Sequence, residues 1–125
     1  MALIFKEQLP KNCPMPDSKE QDLNDVWRFL DSLDVTEDCF ASHAAQGKPV
    51  RSGVDECRWA SCSLFEGDQL TASMMKTPFY KRFAARAQLE IPAGSGRLRQ
   101  NGGHIDFWAY SGFSFTSAVQ RVEPK

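Results

Sequence analysis

The chain has 125 residues, of which 42% are hydrophobic and 25% are charged, and its formal net charge is −1. These values are typical of one globular domain and give no overall electrostatic attraction to nucleic acid or to an anionic membrane. No apolar run reaches the roughly 18 residues of a membrane-spanning helix, and residues 1–6 lack the apolar region of about 7–15 residues found in secretory signals. We therefore expect a single cytoplasmic domain over residues 1–125, with no membrane contact.

The cysteines are expected to be free thiols, because a reducing compartment disfavours disulfides. They are Cys13, Cys39, Cys57 and Cys62. A zinc site is the alternative: Cys39 and His43 have helical spacing, and Cys57, Cys62 and His104 complete a ligand set. However, the sequence has no Cys-x-x-Cys pair and its spacings match no standard zinc site. We therefore predict no bound metal.

The first half of the chain is expected to contain a loop followed by helices. Residues 1–18 form a leader or loop, because its three prolines at positions 10, 14 and 16 disfavour helix and interior strand. Residues 22–33 have apolar spacings that suit a helix or a strand, and we favour the helix. Thr36 is a suitable N-cap for a helix ending near Gly47, residues 54–59 suit a helical turn, and Asp68 can cap a third helix that ends before Pro78.

Strands are expected in the second half of the chain and in residues 61–65. Apolar side chains alternate with polar ones over residues 83–91, which predicts a strand with Leu89 and Ile91 buried and with Arg86 and Gln88 exposed. Glycine-rich turns separate further strands at 97–100, 104–110 and 113–122. The predicted fold class is therefore α+β, with N-terminal helices packed on a C-terminal, mainly antiparallel sheet.

Two features suggest a binding surface. His104, Asp106 and Trp108 alternate along one predicted strand, so their side chains share one face. Residues 76–99 are rich in basic side chains, among them Arg86 and Arg97, whereas residues 22–38 are acidic. Because no complete catalytic set accompanies them, the leading hypothesis is a non-catalytic interaction module without a cofactor. We expect another protein as the partner, since the basic stretch is short and carries no known nucleic-acid-binding motif; a nucleic-acid-binding module is a further alternative.

The order of three motifs resembles the arginine-serine-glutamate type of ADP-ribosyltransferase. Arg28 lies in an early apolar segment, Ser61 and Ser63 form a Ser-x-Ser pair, and Asp106 stands where the family has its catalytic glutamate. The resemblance implies an NAD-using enzyme in which Arg28, Ser61, Ser63 and Asp106 line one cleft. The chain also resembles small bacterial proteins with an early Asn-Cys-Pro and a late His-x-Asp-x-Trp, which implies no activity.

Overall fold

A six-stranded antiparallel sheet organises the chain, as seen in a computed structural model that describes residues 4–125. Residues 1–3, which are part of the segment considered above as a secretory signal, lie outside this described range. The strands are β1 (Leu23–Leu30), β2 (Cys62–Glu66), β3 (Ala85–Ile91), β4 (Gly96–Asn101), β5 (His104–Ala109) and β6 (Val119–Pro124). Their order across the sheet is β4-β5-β2-β1-β3-β6, and every neighbouring pair is antiparallel.

The helical segments are short, at four to eight residues each. They are a 3₁₀ helix (Glu37–Phe40), α1 (Glu56–Trp59), α2 (Asp68–Met75) and α3 (Phe115–Ala118). The prediction of an α+β fold with N-terminal helices packed on a C-terminal sheet is therefore wrong, and the chain is mainly β. The expected turn at 54–59, the helix after Asp68 and the strands over 61–110 are confirmed, whereas residues 113–122 divide between α3 and β6.

The preferred helix at residues 22–33 is instead β1, which lies inside the sheet between β2 and β3. Val26, Trp27, Phe29 and Leu30 are all buried, because both faces of this strand are covered. Burial on both faces removes the alternation of apolar and polar residues that marks a strand covered on one face. The apolar residues of this strand therefore have the spacing that is also typical of an amphipathic helix.

The two faces of the sheet have different coverings. On the core face, apolar side chains from the strands pack with Phe40 of the 3₁₀ helix and Phe115 of α3. The second face carries Trp27, Phe65 and Trp108, and it is covered by α1, α2 and the residues after α2. Leu89 and Ile91 are 0% and 1% exposed, which confirms their predicted burial.

Residues 4–20 belong to the domain rather than to a free leader. Lys19 and Leu98 exchange two main-chain hydrogen bonds, and the Lys6 amide donates to the Ala109 carbonyl at 2.8 Å. A disulfide joins Cys13 to Cys57 of α1, with a Cα–Cα distance of 5.4 Å, whereas Cys39 and Cys62 are free. The prediction of four free thiols is therefore wrong. Because that prediction followed from the cytoplasmic assignment, the disulfide counts against the assignment, which stays a prediction.

Two further observations concern metal binding and membrane crossing. Within residues 4–125, no group of three or more His, Cys, Asp or Glu side chains is arranged to hold a metal ion. Over the same range, no helix combines the length and the apolar character that crossing a bilayer requires.

Candidate functional site

The predicted polar-aromatic strand face lies beneath α1 instead of forming an open surface. Trp108 and Asp106 are 2% and 3% exposed, and His104 is half-buried. The Trp108 indole Nε1 donates to the Cys57 carbonyl at 3.0 Å, which ties β5 to the start of α1. Trp108 and Asp106 therefore join elements of the fold, and a partner reaches neither without displacing α1, whereas 27% of the His104 side chain stays exposed.

Asp106 is the centre of a buried polar network on the second face. Its Oδ2 accepts from Arg58 Nε at 3.2 Å, and its Oδ1 lies 3.2 Å from the Ser61 hydroxyl and 3.7 Å from His104 Nδ1. The Ser61 hydroxyl is also 2.7 Å from the Arg58 carbonyl, which holds it against the end of α1. Arg58 thus supplies the charged donor that a buried carboxylate requires, and Ser61 and His104 add polar contacts.

The pKa of His104 is lowered. Burial is the main cause; the Asp106 carboxylate opposes it by raising the pKa, and Arg58 lowers it further. The imidazole is therefore neutral at neutral pH, so we interpret its approach to Asp106 as a polar contact rather than an ion pair.

The structure places the residues of the transferase resemblance on two different faces. Ser63 is aligned with Asp106, so both side chains belong to the second face, whereas Arg28 alternates with Trp27 and belongs to the core face. The Arg28 guanidinium donates to three main-chain carbonyls at 3.0–3.1 Å, those of Ser63, Cys39 and Ala41. Ser61 and Asp106 do meet, but the cleft that the resemblance requires gains no support from this arrangement.

Arg86 is buried against α2, so its predicted exposure is wrong. Its guanidinium lies 4.0 Å from the Trp27 ring, pairs with Asp68 Oδ1 at 2.6 Å, and also pairs with Glu123. Its Nη1 donates to the Thr71 hydroxyl at 2.7 Å. These contacts explain why only 8% of this charged residue is exposed.

Arg97 is likewise engaged within the domain. Its Nε donates to the Ser18 hydroxyl at 2.8 Å, and its Nη2 donates to the Ser18 carbonyl. Arg97 therefore holds the Pro-rich segment against β4. Arg86 and Arg97 of the basic stretch therefore stabilise the fold through contacts within the domain.

Basic and apolar side chains remain exposed in residues 76–82, between α2 and β3. We define the basic–aromatic surface as Lys76, Phe79, Lys81 and Arg82, whose residues are all exposed, Phe79 by 58%. The Arg82 guanidinium lies 5.0 Å from the Phe79 ring centroid and 4.7 Å from that of Phe83. None of the three cations forms an ion pair with an acid of residues 4–125.

Contacts between the buried Phe29 ring and two partly buried aromatic rings fix this surface to the sheet. Tyr80 and Phe83 lie 4.9 Å and 5.4 Å from the Phe29 ring, and the Ala84 amide donates to the Leu30 carbonyl at 2.8 Å. Phe79 is therefore exposed on a segment whose adjacent residues pack against β1. Stacked and tilted aromatic pairs at these distances are worth about 0.5–1.5 kcal/mol each beyond the area they bury.

Further cations surround His43, which was considered as a zinc ligand. Its ring stacks on Trp59 at 4.4 Å, and its buried Nδ1 has no hydrogen-bond partner among the described residues. Burial is the main cause of its lowered pKa, and Lys48, Arg28, Arg51 and Arg82 lower it further. Arg82 of the basic–aromatic surface therefore lies close enough to His43 to lower the pKa of its imidazole, a relationship that the sequence did not reveal.

Two open depressions lie on the surface. One, of about 560 Å³, adjoins the basic–aromatic surface; its lining side chains are Ala72, Met75, Lys76, Lys81, Arg86, Glu123, Pro124 and Lys125. The other, of about 740 Å³, is bordered by Asp22 and Glu90 and by no cationic side chain of the described residues. The two depressions thus have opposite electrostatic character.

Comparison with known protein families, with curated proteins and with solved structures finds no match to this chain.

Proposed function

We propose that the protein is a small, non-catalytic interaction module that binds an acidic segment of another protein through its basic–aromatic surface. The observation that carries this proposal is the exposure of Phe79 beside three cations that have no acidic partner among residues 4–125. The side chains that suggested chemistry, Arg28, Ser61 and Asp106, are engaged in hydrogen bonds within the fold. This supports binding over catalysis.

Phe79 provides the apolar part of the proposed contact. Complete burial of a phenylalanine side chain is worth about 1.5–3 kcal/mol relative to full exposure, and more than half of Phe79 is exposed at 58%. A partner with an apolar residue would therefore gain free energy by covering Phe79.

The cations provide direction and selectivity. Lys76, Lys81 and Arg82 would attract an acidic segment and repel a basic one, which raises the association rate for the correct partner. Because Tyr80 and Phe83 pack on Phe29, the chain that carries these cations is already ordered. Preorganisation of this kind lowers the entropy cost of binding.

An acidic protein segment suits this surface better than nucleic acid. Sequence-independent DNA binding commonly uses about six to ten phosphate contacts, whereas this surface has three cations and the whole chain has a net charge of −1. Nucleic acid remains a measurable outcome of the test.

The test is selection from a random peptide library displayed on phage, followed by fluorescence anisotropy with the selected peptides. We expect acidic peptides with at least one apolar residue. Phe79→Ala and Arg82→Gln should each weaken their binding about tenfold, since each removes a central contact. Ile4→Ala and Lys11→Gln are matched controls, because both residues are exposed and lie outside the surface.

Three outcomes would overturn the proposal. They are selection of peptides without acidic enrichment, binding that neither surface variant changes, and preference for a single-stranded oligonucleotide over every selected peptide. The last outcome would favour the nucleic-acid-binding alternative, particularly if affinity fell steeply with salt.

A further inference from the structure

Three lysines converge on the 560 Å³ depression beside the basic–aromatic surface. Lys76 follows α2, Lys81 lies in the segment before β3, and Lys125 follows β6. The Lys125 ammonium donates to the Lys81 carbonyl, and the Lys125 amide donates to the Ala84 carbonyl at 2.9 Å. Residues distant in sequence thus place positive charge around one opening.

The charges around this opening are not balanced. Arg86 at its base pairs with Asp68 and Glu123, and Glu123 also pairs with Arg121 through Oε1 at 3.1 Å. Glu123, the carboxylate that lines the opening, is therefore shared between two guanidinium groups, and Asp68 is paired with one. Within residues 4–125 the three lysine ammonium groups form no ion pair, so they favour an anionic ligand.

We propose that this depression binds a phosphoryl group on a side chain of the partner segment. This inference rests on the proposed function and names the modification that the same site would recognise. A phosphorylated side chain has a charge of about −1.5 to −2 at neutral pH and several acceptor oxygens. Three ammonium groups, each a compact charge with three donors, can balance the charge of a phosphoryl group, whereas a single carboxylate would leave two of them unpaired.

The lining also suits the rest of a phosphorylated residue. Ala72, Met75 and Pro124 supply apolar surface beside the lysines. Arg86 is already bonded to Asp68, Thr71 and Glu123, so its charge is balanced within the domain and the three lysines supply the positive charge for the ligand. Since Lys76, Lys81 and Phe79 belong to one short segment, we expect the phosphorylated residue only a few positions from the apolar residue that covers Phe79.

The first experiment titrates isotope-labelled protein with inorganic phosphate at constant ionic strength, with chloride as the reference anion, and follows amide chemical shifts. We expect phosphate-specific shifts near residues 72–76, 81 and 123–125. Lys81→Gln and Lys125→Gln should each weaken phosphate binding several-fold, whereas Lys11→Gln and Glu90→Gln should leave it unchanged. Shifts equal to those caused by chloride, or confined to another part of the domain, would overturn the inference.

The second experiment compares a selected acidic peptide with the same peptide carrying one phosphoserine. We expect phosphorylation to raise affinity at least about tenfold, and Lys81→Gln to remove most of that gain. If the peptide binds in a Phe79-dependent manner but phosphorylation adds nothing, this inference fails and the proposed function stands. If phosphate binds the depression but peptides with and without phosphoserine bind equally weakly, both proposals fail and a free phosphate-containing molecule becomes the ligand.

Discussion

Arg28 and Ser63 are joined through the main chain: Arg28 Nη1 donates to the Ser63 carbonyl at 3.0 Å, while the Ser63 side chain belongs to the opposite face of the sheet. The same guanidinium bonds the carbonyls of Cys39 and Ala41. Arg28 thereby connects β1 and β2 with the end of the 3₁₀ helix and the residue that follows it. This role is structural, and it has a measurable consequence.

Arg28→Ala should lower the free energy of unfolding by about 1.5–3 kcal/mol, because it leaves partly buried carbonyls without their charged donor. Arg28→Lys should recover only part of this loss, since one ammonium group lacks the planar fork of the guanidinium. Urea denaturation followed by tryptophan fluorescence measures both effects. Arg51→Ala, at an exposed position, is the control and should change stability by less than about 0.5 kcal/mol. An Arg28→Ala protein of unchanged stability would refute the structural role.

Leu89→Ala tests the register of β3. Leu89 is 0% exposed and lies opposite Val26 in the core, so truncation should lower the free energy of unfolding by about 2–5 kcal/mol. The neighbouring Glu90 is exposed, and Glu90→Ala should have a small effect in the same denaturation experiment. A loss below about 1 kcal/mol for Leu89→Ala would place this side chain outside the core.

The strands that the sequence revealed are those that retain a local signal. Over β3, apolar and polar residues alternate, and glycine-rich turns delimit β4 and β5. β1 gave no such signal, because Trp27 and Phe29 are covered on one face and Val26 and Leu30 on the other. Alternation indicates a strand only while one of its faces remains polar.

The candidate site was harder to predict than the strands. Whether a basic side chain is free to bind a ligand depends on partners within the fold that are distant in sequence. Arg97 bonds Ser18, 79 residues away, and Arg86 bonds Glu123, 37 residues away. Counting basic residues therefore could not separate these engaged side chains from Lys76 and Lys81. Lys125 was missed since it lies outside the basic stretch and joins the site only through the pairing of β6 with β3.

The Cys13–Cys57 disulfide predicts a definite thiol count. Denatured, unreduced protein should contain two reactive thiols, those of Cys39 and Cys62, and full reduction should raise the number to four. The bridge spans a sequence separation of 44 residues, for which loop entropy gives a stabilisation of about 4 kcal/mol. Replacing both bridged cysteines with serine should lower the free energy of unfolding by about that amount. Four reactive thiols before reduction would contradict the bridge.

The two histidines predict that stability falls as the pH is lowered below neutrality. Burial is the main cause of the lowered pKa of both His104 and His43; Asp106 partly offsets it at His104, and nearby cations reinforce it at His43. In the unfolded chain each imidazole titrates near its ordinary pKa of about 6.5, so below that pH the unfolded state binds more protons than the folded state. Stability is therefore greatest above about pH 7 and decreases as the pH falls through about 6.5 toward the lower folded pKa values.

Urea denaturation at a series of pH values from about 7.5 to 5 tests this dependence, because most carboxylates stay ionised over that range. We expect a loss of less than about 1 kcal/mol, since both side chains are only partly removed from water and the shifts are correspondingly screened. His104→Gln and His43→Gln should each flatten the pH profile, and the double variant should flatten it further. A profile that rises as the pH falls would reverse the sign of the inferred shifts, and one that the double variant leaves unchanged would assign the dependence to other groups.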